Sequence, residues 1–442
     1  MAVVAAASLL AACTSGSGSG AATVPATDLD HIPPATAPAI SLGPAQNPVD
    51  TTPAWSVDTG RCTDKAAVAA PITGTLTIGS VAPQSGGLIS TVDRPIIQGF
   101  KAYIDHANST DLLKGVQLNL VVADDHGDAA LTPAAVSGLL AADAQVVSGI
   151  IGSANNLAVR DLLNRQCIPQ LMALGNSPKL GDVASAPWTM GALVPVTVEA
   201  TVYADSIVRL DGPKARIALL VSDDDQGEGE ADAFIAAAAD TSLQVVDKQT
   251  VHADNILPPV DELTTIAGEK PDVIFASLAG AACATFLTQL AVAEAATPGW
   301  KPTIYMASGC ADGSILALAG PAANGVLTST NLTDDEPTFT AAMAAAGVTS
   351  SLAPAAEGWT AAEVTVAILR QAQASPAGLT RVSIMDAARS LSYTPTLALP
   401  GVHYITDGTD DAYPAESLQV VQFDATTHTF VDVGPLVAQF ES

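Results

Sequence analysis

The chain has 442 residues, 48% of them hydrophobic and only 4% aromatic, and sets 17 Lys and Arg against 45 Asp and Glu, a net charge of -28. That balance repels phosphate backbones, which excludes nucleic acid as a partner and describes a solvated, self-repelling surface. The length allows two or three domains, and no apolar run reaches the roughly 18 to 20 residues that a spanning helix needs.

Residues 2–12, AVVAAASLLAA, form a short apolar stretch ending in small residues, the pattern of a secretory signal core, so 1–12 is expected to be a signal peptide. Leu10, Ala11, Ala12 and Cys13 resemble the bacterial lipobox, in which cleavage leaves the cysteine first and its thiol carries a diacylglycerol. Cys13 is therefore the expected lipid anchor to the membrane. Thr14 to Ala22, TSGSGSGAA, reads as a tether, and its Gly-Ser repeat follows no strand, so it is not a phosphate loop. Residues 23 to about 60 are rich in Pro, Thr, Ala and Asp without periodicity; the whole of 13–71 is expected to be a flexible linker.

The folded part opens on one unit, Gly74 to Ala107. Leu76, Ile78 and Val81 make a strand, while Ile96, Ile97, Phe100, Tyr103 and Ile104 fall on one helical face, with Pro95 suited to its first turn. The unit then repeats: a strand at 116–123, a helix from Pro133 capped by Thr132, a strand at 146–153, a helix to Arg165 and a strand at 168–174. Residues 187–195, PWTMGALVP, break the rhythm and read as a crossing to a second domain. Strands follow at 215–222, 244–251, 272–278 and 303–307, separated by helices near Ala231, Glu262 and Phe286, and a strand at 326–330 leads back. Helices at 357–374 and 381–391 come next, then short alternating strands at 403–406, 418–423 and 429–433 as an antiparallel appendix. Apolar runs alternating with amphipathic helices indicate doubly wound parallel sheets, α/β in class.

Besides Cys13 the cysteines are Cys62, Cys167, Cys283 and Cys310, an even number suited to an oxidising compartment, with three possible pairings. Cys283 opens a helix just after a strand and Cys310 ends the next strand, which favours that pair and leaves Cys62 with Cys167. No two have metal-ligand spacing. The cluster Asp124, Asp125, His126 and Asp128 reads as a structural turn, and Asp407, Asp410 and Asp411 lack the twelve-residue calcium-loop pattern. Gly227 to Ala231, GEGEA, places acids where a dinucleotide loop needs none. No Gly-x-Ser-x-Gly elbow or histidine triad is present, so neither an enzyme, a metal nor a cofactor is expected.

The order of elements, with LTIGSVAPQSGG, LVVADDHGD, VSGIIGS, CIPQLMA, PDVIFASLAG and LALAGPAANGVLTS, resembles the type I periplasmic binding proteins of branched-chain amino-acid transport over residues 72–435. The resemblance implies two α/β lobes joined by three crossing strands, with residues 72–192 plus 328–398 in lobe one and 193–327 plus 399–442 in lobe two. It implies an extracytoplasmic protein that closes on a small ligand, by default a branched-chain amino acid, and delivers it to an ABC transporter permease; a ligand-sensing module coupled to a signalling partner is the alternative. On lobe one it implies ligand contacts from Gln84, Ser85 and Gly86, from Ser153, Ala154, Asn155 and Asn156 at a helix start, and from Leu174, Gly175 and Asn176. On lobe two the corresponding stretches supply Asp224, Asp225, Gln226, Gly280 and Gly309. The family's aromatics and ammonium-binding acid are absent there, leaving Asp224, Asp225 or Asp312 as the counter-charge.

Overall fold

The computed structural model describes residues 55–85, 89–253, 257–408 and 412–437. The expected signal peptide, Cys13, Gly86, Asp410, Asp411 and most of the expected linker lie outside the described residues. The linker nevertheless ends before residue 71. Val57 and Val68 are buried, the Val57 N–H donates to Asp386 at 2.7 Å, and α1 (Lys65–Ala69) is capped by Asp64. Cys62 is joined to Cys167 across 105 residues, which fastens this segment to the first lobe. Its few apolar residues are too sparse to show a period in sequence.

β1 (Gly74–Val81), β2 (Val116–Ala123), β3 (Val146–Ser148), β4 (Gln170–Ala173) and β5 (Thr189–Gly191) form a parallel sheet in the order β2-β1-β3-β4-β5. They are linked by α2 (Ile89–Ser109), α3 (Thr132–Ala141) and α4 (Ser153–Gln166). Three expectations shift. Pro95 lies inside α2, which begins at Ile89. Thr132 is the first residue of α3 rather than its cap, because its buried hydroxyl donates to Asp125 at 2.7 Å. The stretch 187–195 contributes the fifth strand before it crosses.

The second lobe starts with α5 (Val196–Leu210), whose β-branched VTVEATV run hides the helix; burial of its inner face overrides propensity. β6 (Arg216–Ser222), α6 (Asp225–Ala239), β7 (Gln244–Val251), α7 (Val260–Glu269), β8 (Val273–Ser277), α8 (Ala281–Ala296), β9 (Thr303–Met306), α9 (Gly313–Leu316) and β10 (Leu327–Thr330) follow. The chain then returns to lobe one through α10 (Pro337–Ala345), α11 (Leu352–Ala374) and α12 (Arg381–Ala388), forms the antiparallel pair β11 (Ser392–Tyr393) and β12 (Tyr404–Ile405), and ends with β13 (Gln419–Asp424) and β14 (Thr429–Asp432). The second sheet runs β14-β13-β10-β9-β8-β6-β7, with β13 and β14 antiparallel at its edge rather than forming a separate appendix. Two expected boundaries move as a result. The return to lobe one comes after Thr330, not at residue 328, because β10 pairs with β9 and β13. The last crossing comes after residue 413, not at 399, because Thr406 still bonds Leu391 and the Ala412 carbonyl accepts from Gly191.

The return of α11 fixes lobe one. Gly99 of α2 and Gly358 of α11 let the two backbones touch: a Cβ at 358 would lie 1.8 Å from the Ile96 carbonyl oxygen, and one at 99 would lie 2.0 Å from that of Ala355. Trp359, fully buried, meets the edges of Tyr103 and Phe339 at 5.1 and 5.6 Å. Gly358→Ala is expected to destabilise the chain by about 2 kcal/mol or more, since the helices must separate. Gly138→Ala in α3, where a Cβ meets nothing within 4 Å, is the control and should be neutral or mildly stabilising in urea denaturation.

Candidate functional site

A cleft of about 270 Å³ opens between the carboxyl ends of the two sheets. Its lobe-one wall is Gly152 and Ser153 after β3 and Leu174 to Asn176 after β4. Its lobe-two wall is Gln226 in α6, Gly280 after β8, and Ser308 and Gly309 after β9. The crossing segments close its back with Ser329 to Asp334 and Tyr404. Strand carboxyl ends are where open α/β sheets leave backbone groups for a ligand.

Local structure explains each wall. The Ser153 hydroxyl accepts from the Asn176 and Ser177 N–H groups at 3.1 and 3.2 Å and donates to Asn176 Oδ1 at 3.3 Å, tying the two loops together. Gly175 leaves room for this, since a Cβ there would come within 2.9 Å of Ser153. Gly280 has φ 55° and ψ -134°, a conformation suited only to glycine. The rim is held by the Cys283–Cys310 disulfide, which joins the first turn of α8 to the short helix after β9. Behind it, buried Glu199 of α5 accepts from the Ser308 N–H at 2.7 Å and from the Ser329 hydroxyl at 3.2 Å. Burial raises the Glu199 carboxyl despite those bonds.

Of the residues that the sequence singles out, Ser153, Leu174, Gly175, Asn176, Gln226, Gly280 and Gly309 line the cleft together. Others are tied up within the lobe walls instead. Asn155 donates to Asp125 and Thr132 at 2.8 and 3.0 Å, and Asn156 to the Ile150 and Gly152 carbonyls at 2.7 and 2.8 Å. Ala154 lies in the first turn of α4 and is not part of the lining. Gln84 bonds Asp124 and the Val122 carbonyl, and Ser85 bonds Asp124 and His126. Asp224 caps α6 by accepting from the Gly227 N–H at 2.8 Å, with Asp225 next to it in the first turn. These groups are committed to neighbouring side chains or to backbone groups near strand ends and helix starts, which competes with their use for a solute.

The sequence did not single out Asp93 of α2, Asp334 or Glu357 of α11, all of which line the cleft together with Asp312. Glu357 is pushed up to about 7, first by burial and then by Asp93, Asp312 and Glu199. Asp93 is pushed up to about 7 by burial and by Asp125, and Asp334 is raised by burial and by Asp312. Among the described residues no Lys, Arg or His joins them in the lining. The one available signal was an acid at the start of an otherwise apolar helix run.

The profile described as periplasmic binding protein matches residues 75–428. No curated protein sequence matches the chain. A branched-chain amino acid ABC transporter protein from Thermus thermophilus with bound valine is similar in structure, with TM-score 0.73 and 20% identity over 83% of this chain and 97% of that one. A leucine binding protein from Thermotoga maritima gives 0.66 and 14% over 82% and 99%. A solute binding protein from Rhodopseudomonas palustris in complex with benzoate gives 0.68 and 19% over 83% and 98%. At these identities the structures share the two-lobed fold. With the profile covering most of the sequence and both lobes framing a common cleft, the chain belongs to the periplasmic binding protein family.

Proposed function

We propose that the chain is the lipid-anchored, extracytoplasmic solute-binding component of an ABC importer. It captures one small polar or amphipathic molecule between its lobes and passes it to the permease. The observation that carries this reading is the cleft itself, built jointly by the carboxyl ends of two sheets that three crossing segments connect among the described residues. Such a hinge lets lobe two close on a ligand held by lobe one, excluding water and strengthening each polar contact. At about 270 Å³ the cleft suits an amino acid or a metabolite of that size. Ser153, Gly175 and Asn176 are its lobe-one contacts and Gln226, Gly280 and Gly309 its lobe-two contacts. Valine and benzoate in the similar proteins favour a compact organic solute. The two disulfides suit an exported chain. No helix among the described residues is long and apolar enough to cross a membrane, and lipidation of Cys13 supplies the attachment.

The purified chain is expected to gain about 2.7 kcal/mol from a cognate solute at a hundred times its dissociation constant, read as a rise in melting temperature across a panel of amino acids, amides, amines, carboxylates and sugars. Small-angle scattering should show the radius of gyration fall with the same solute. A broad panel with neither response contradicts the reading. In a bacterial host that processes lipoproteins, the chain should fractionate with membranes and Cys13→Ser should not; identical soluble fractionation of both would remove the anchor.

A further inference from the structure

The four cleft carboxylates come from both sides. Asp93 and Glu357 belong to α2 and α11 in lobe one, Asp312 caps α9 in lobe two, and Asp334 lies in the second crossing segment. Two further observations point to a missing partner. Asp312 is 6% exposed, and while its Oδ1 accepts from the Ser314 and Ile315 N–H groups at 2.8 and 3.3 Å, its buried Oδ2 has no hydrogen-bond partner. Thr360, 2% exposed and nearly one turn beyond Glu357, has a buried hydroxyl that is also unpaired. Both residues line the cleft. Buried polar atoms are normally satisfied, so two orphans at one cleft mark demand for a ligand's donors. Among the described residues no three His, Cys, Asp or Glu side chains could hold a metal ion. The acids are too dispersed for a compact inorganic cation. They suit positive charge carried on an organic chain, with Ile96, Met172 and Leu174 as its apolar wall.

We propose that the ligand is a small organic amine without a free carboxylate, its positive charge held in the combined field of Asp93, Glu357 and Asp312 rather than coordinated by all three. This rests on the binding-protein reading and narrows it. In the empty cleft, like charges on the two lobes repel and hold them apart. An ammonium group reverses that sign and latches the lobes together. A ligand carboxylate would enter the same acidic field, and the Ser153 O–H that would donate to it already donates to Asn176 Oδ1.

Among the described residues the groups that act on Asp93 and Glu357 through their charge are Asp125, Asp312 and Glu199, with the Tyr404 phenol near Glu357 and Asp312 acting on Asp334; Arg94, the next residue on α2, has its own interactions. As pH falls from 8 to 6, Asp93 and Glu357, both pushed up to about 7, take up protons and lose the charge that attracts an amine. The test is calorimetry and thermal shift on the full chain at pH 8 with 1,5-diaminopentane, leucinamide, valine and benzoate. At least one of the two amines should bind tenfold or more tightly than valine, benzoate should give no shift, and amine affinity should fall at least fivefold at pH 6. Glu357→Gln and Asp93→Asn should each weaken the amine tenfold or more, with circular dichroism confirming that they fold. Binding of valine or benzoate but neither amine overturns the inference and leaves the binding-protein reading standing. No response to any of the four also overturns it, and the broader panel then decides the reading itself.

Discussion

The fold turns on the backbone contact between α2 and α11. Two helices far apart in sequence approach until neither Gly99 nor Gly358 has room for a methyl group. That contact draws the chain back into lobe one after it has built the strands of lobe two, so it decides that the molecule has two lobes with three crossings rather than two beads on a string. It also sets Asp93 beside Glu357 at the cleft, where their charges are coupled. Packing and electrostatics thus meet at one place: the close approach of α2 and α11 carries two strongly perturbed carboxyls, Asp93 and Glu357.

Each lobe then presents its strand carboxyl ends to the other. On lobe one the Ser153 hydroxyl locks the loops after β3 and β4. On lobe two the Cys283–Cys310 disulfide and the Glu199 bonds to Ser308 and Ser329 tie the loops after β8 and β9 to each other and to β10. Both walls are therefore pre-organised, and the freedom left to the molecule is the angle between lobes. Binding energy is then used for closure rather than for ordering loops.

Much of this was legible in the sequence, and the pattern of what was not has a physical cause. β2 and β7 occupy the residues that the apolar alternation marks, and the order of units together with the family resemblance anticipated the two sheets. Helix α5 was hidden because Val and Thr have no strong helix preference and only burial makes them helical. Ser153, Gly175, Asn176, Gly280 and Gly309, which the family resemblance pointed to, do line the cleft, since they follow strand ends in both sheets. Asn155, Asn156 and Asp224 look the same in sequence, yet Asn155 bonds the Asp125 and Thr132 side chains while Asn156 and Asp224 serve the backbone. Asp93 and Glu357 were illegible for the opposite reason. Each is an ordinary acid near a helix start, and only tertiary contact makes them a pair.

If an amine is the ligand as proposed, Asp93 and Glu357, both pushed up to about 7, are partly protonated in the empty cleft at pH 7 and give up that proton to the cation. Two groups titrating near 7 hold about one proton between them at pH 7, so a bound amine should release about one proton per site. Titration calorimetry of 1,5-diaminopentane or leucinamide into the chain at pH 7, repeated in buffers of different ionisation enthalpy, measures that number directly. Release of about one proton, abolished in the Asp93→Asn and Glu357→Gln double variant, is the predicted result. Binding with no proton exchange, or with proton uptake, would contradict it.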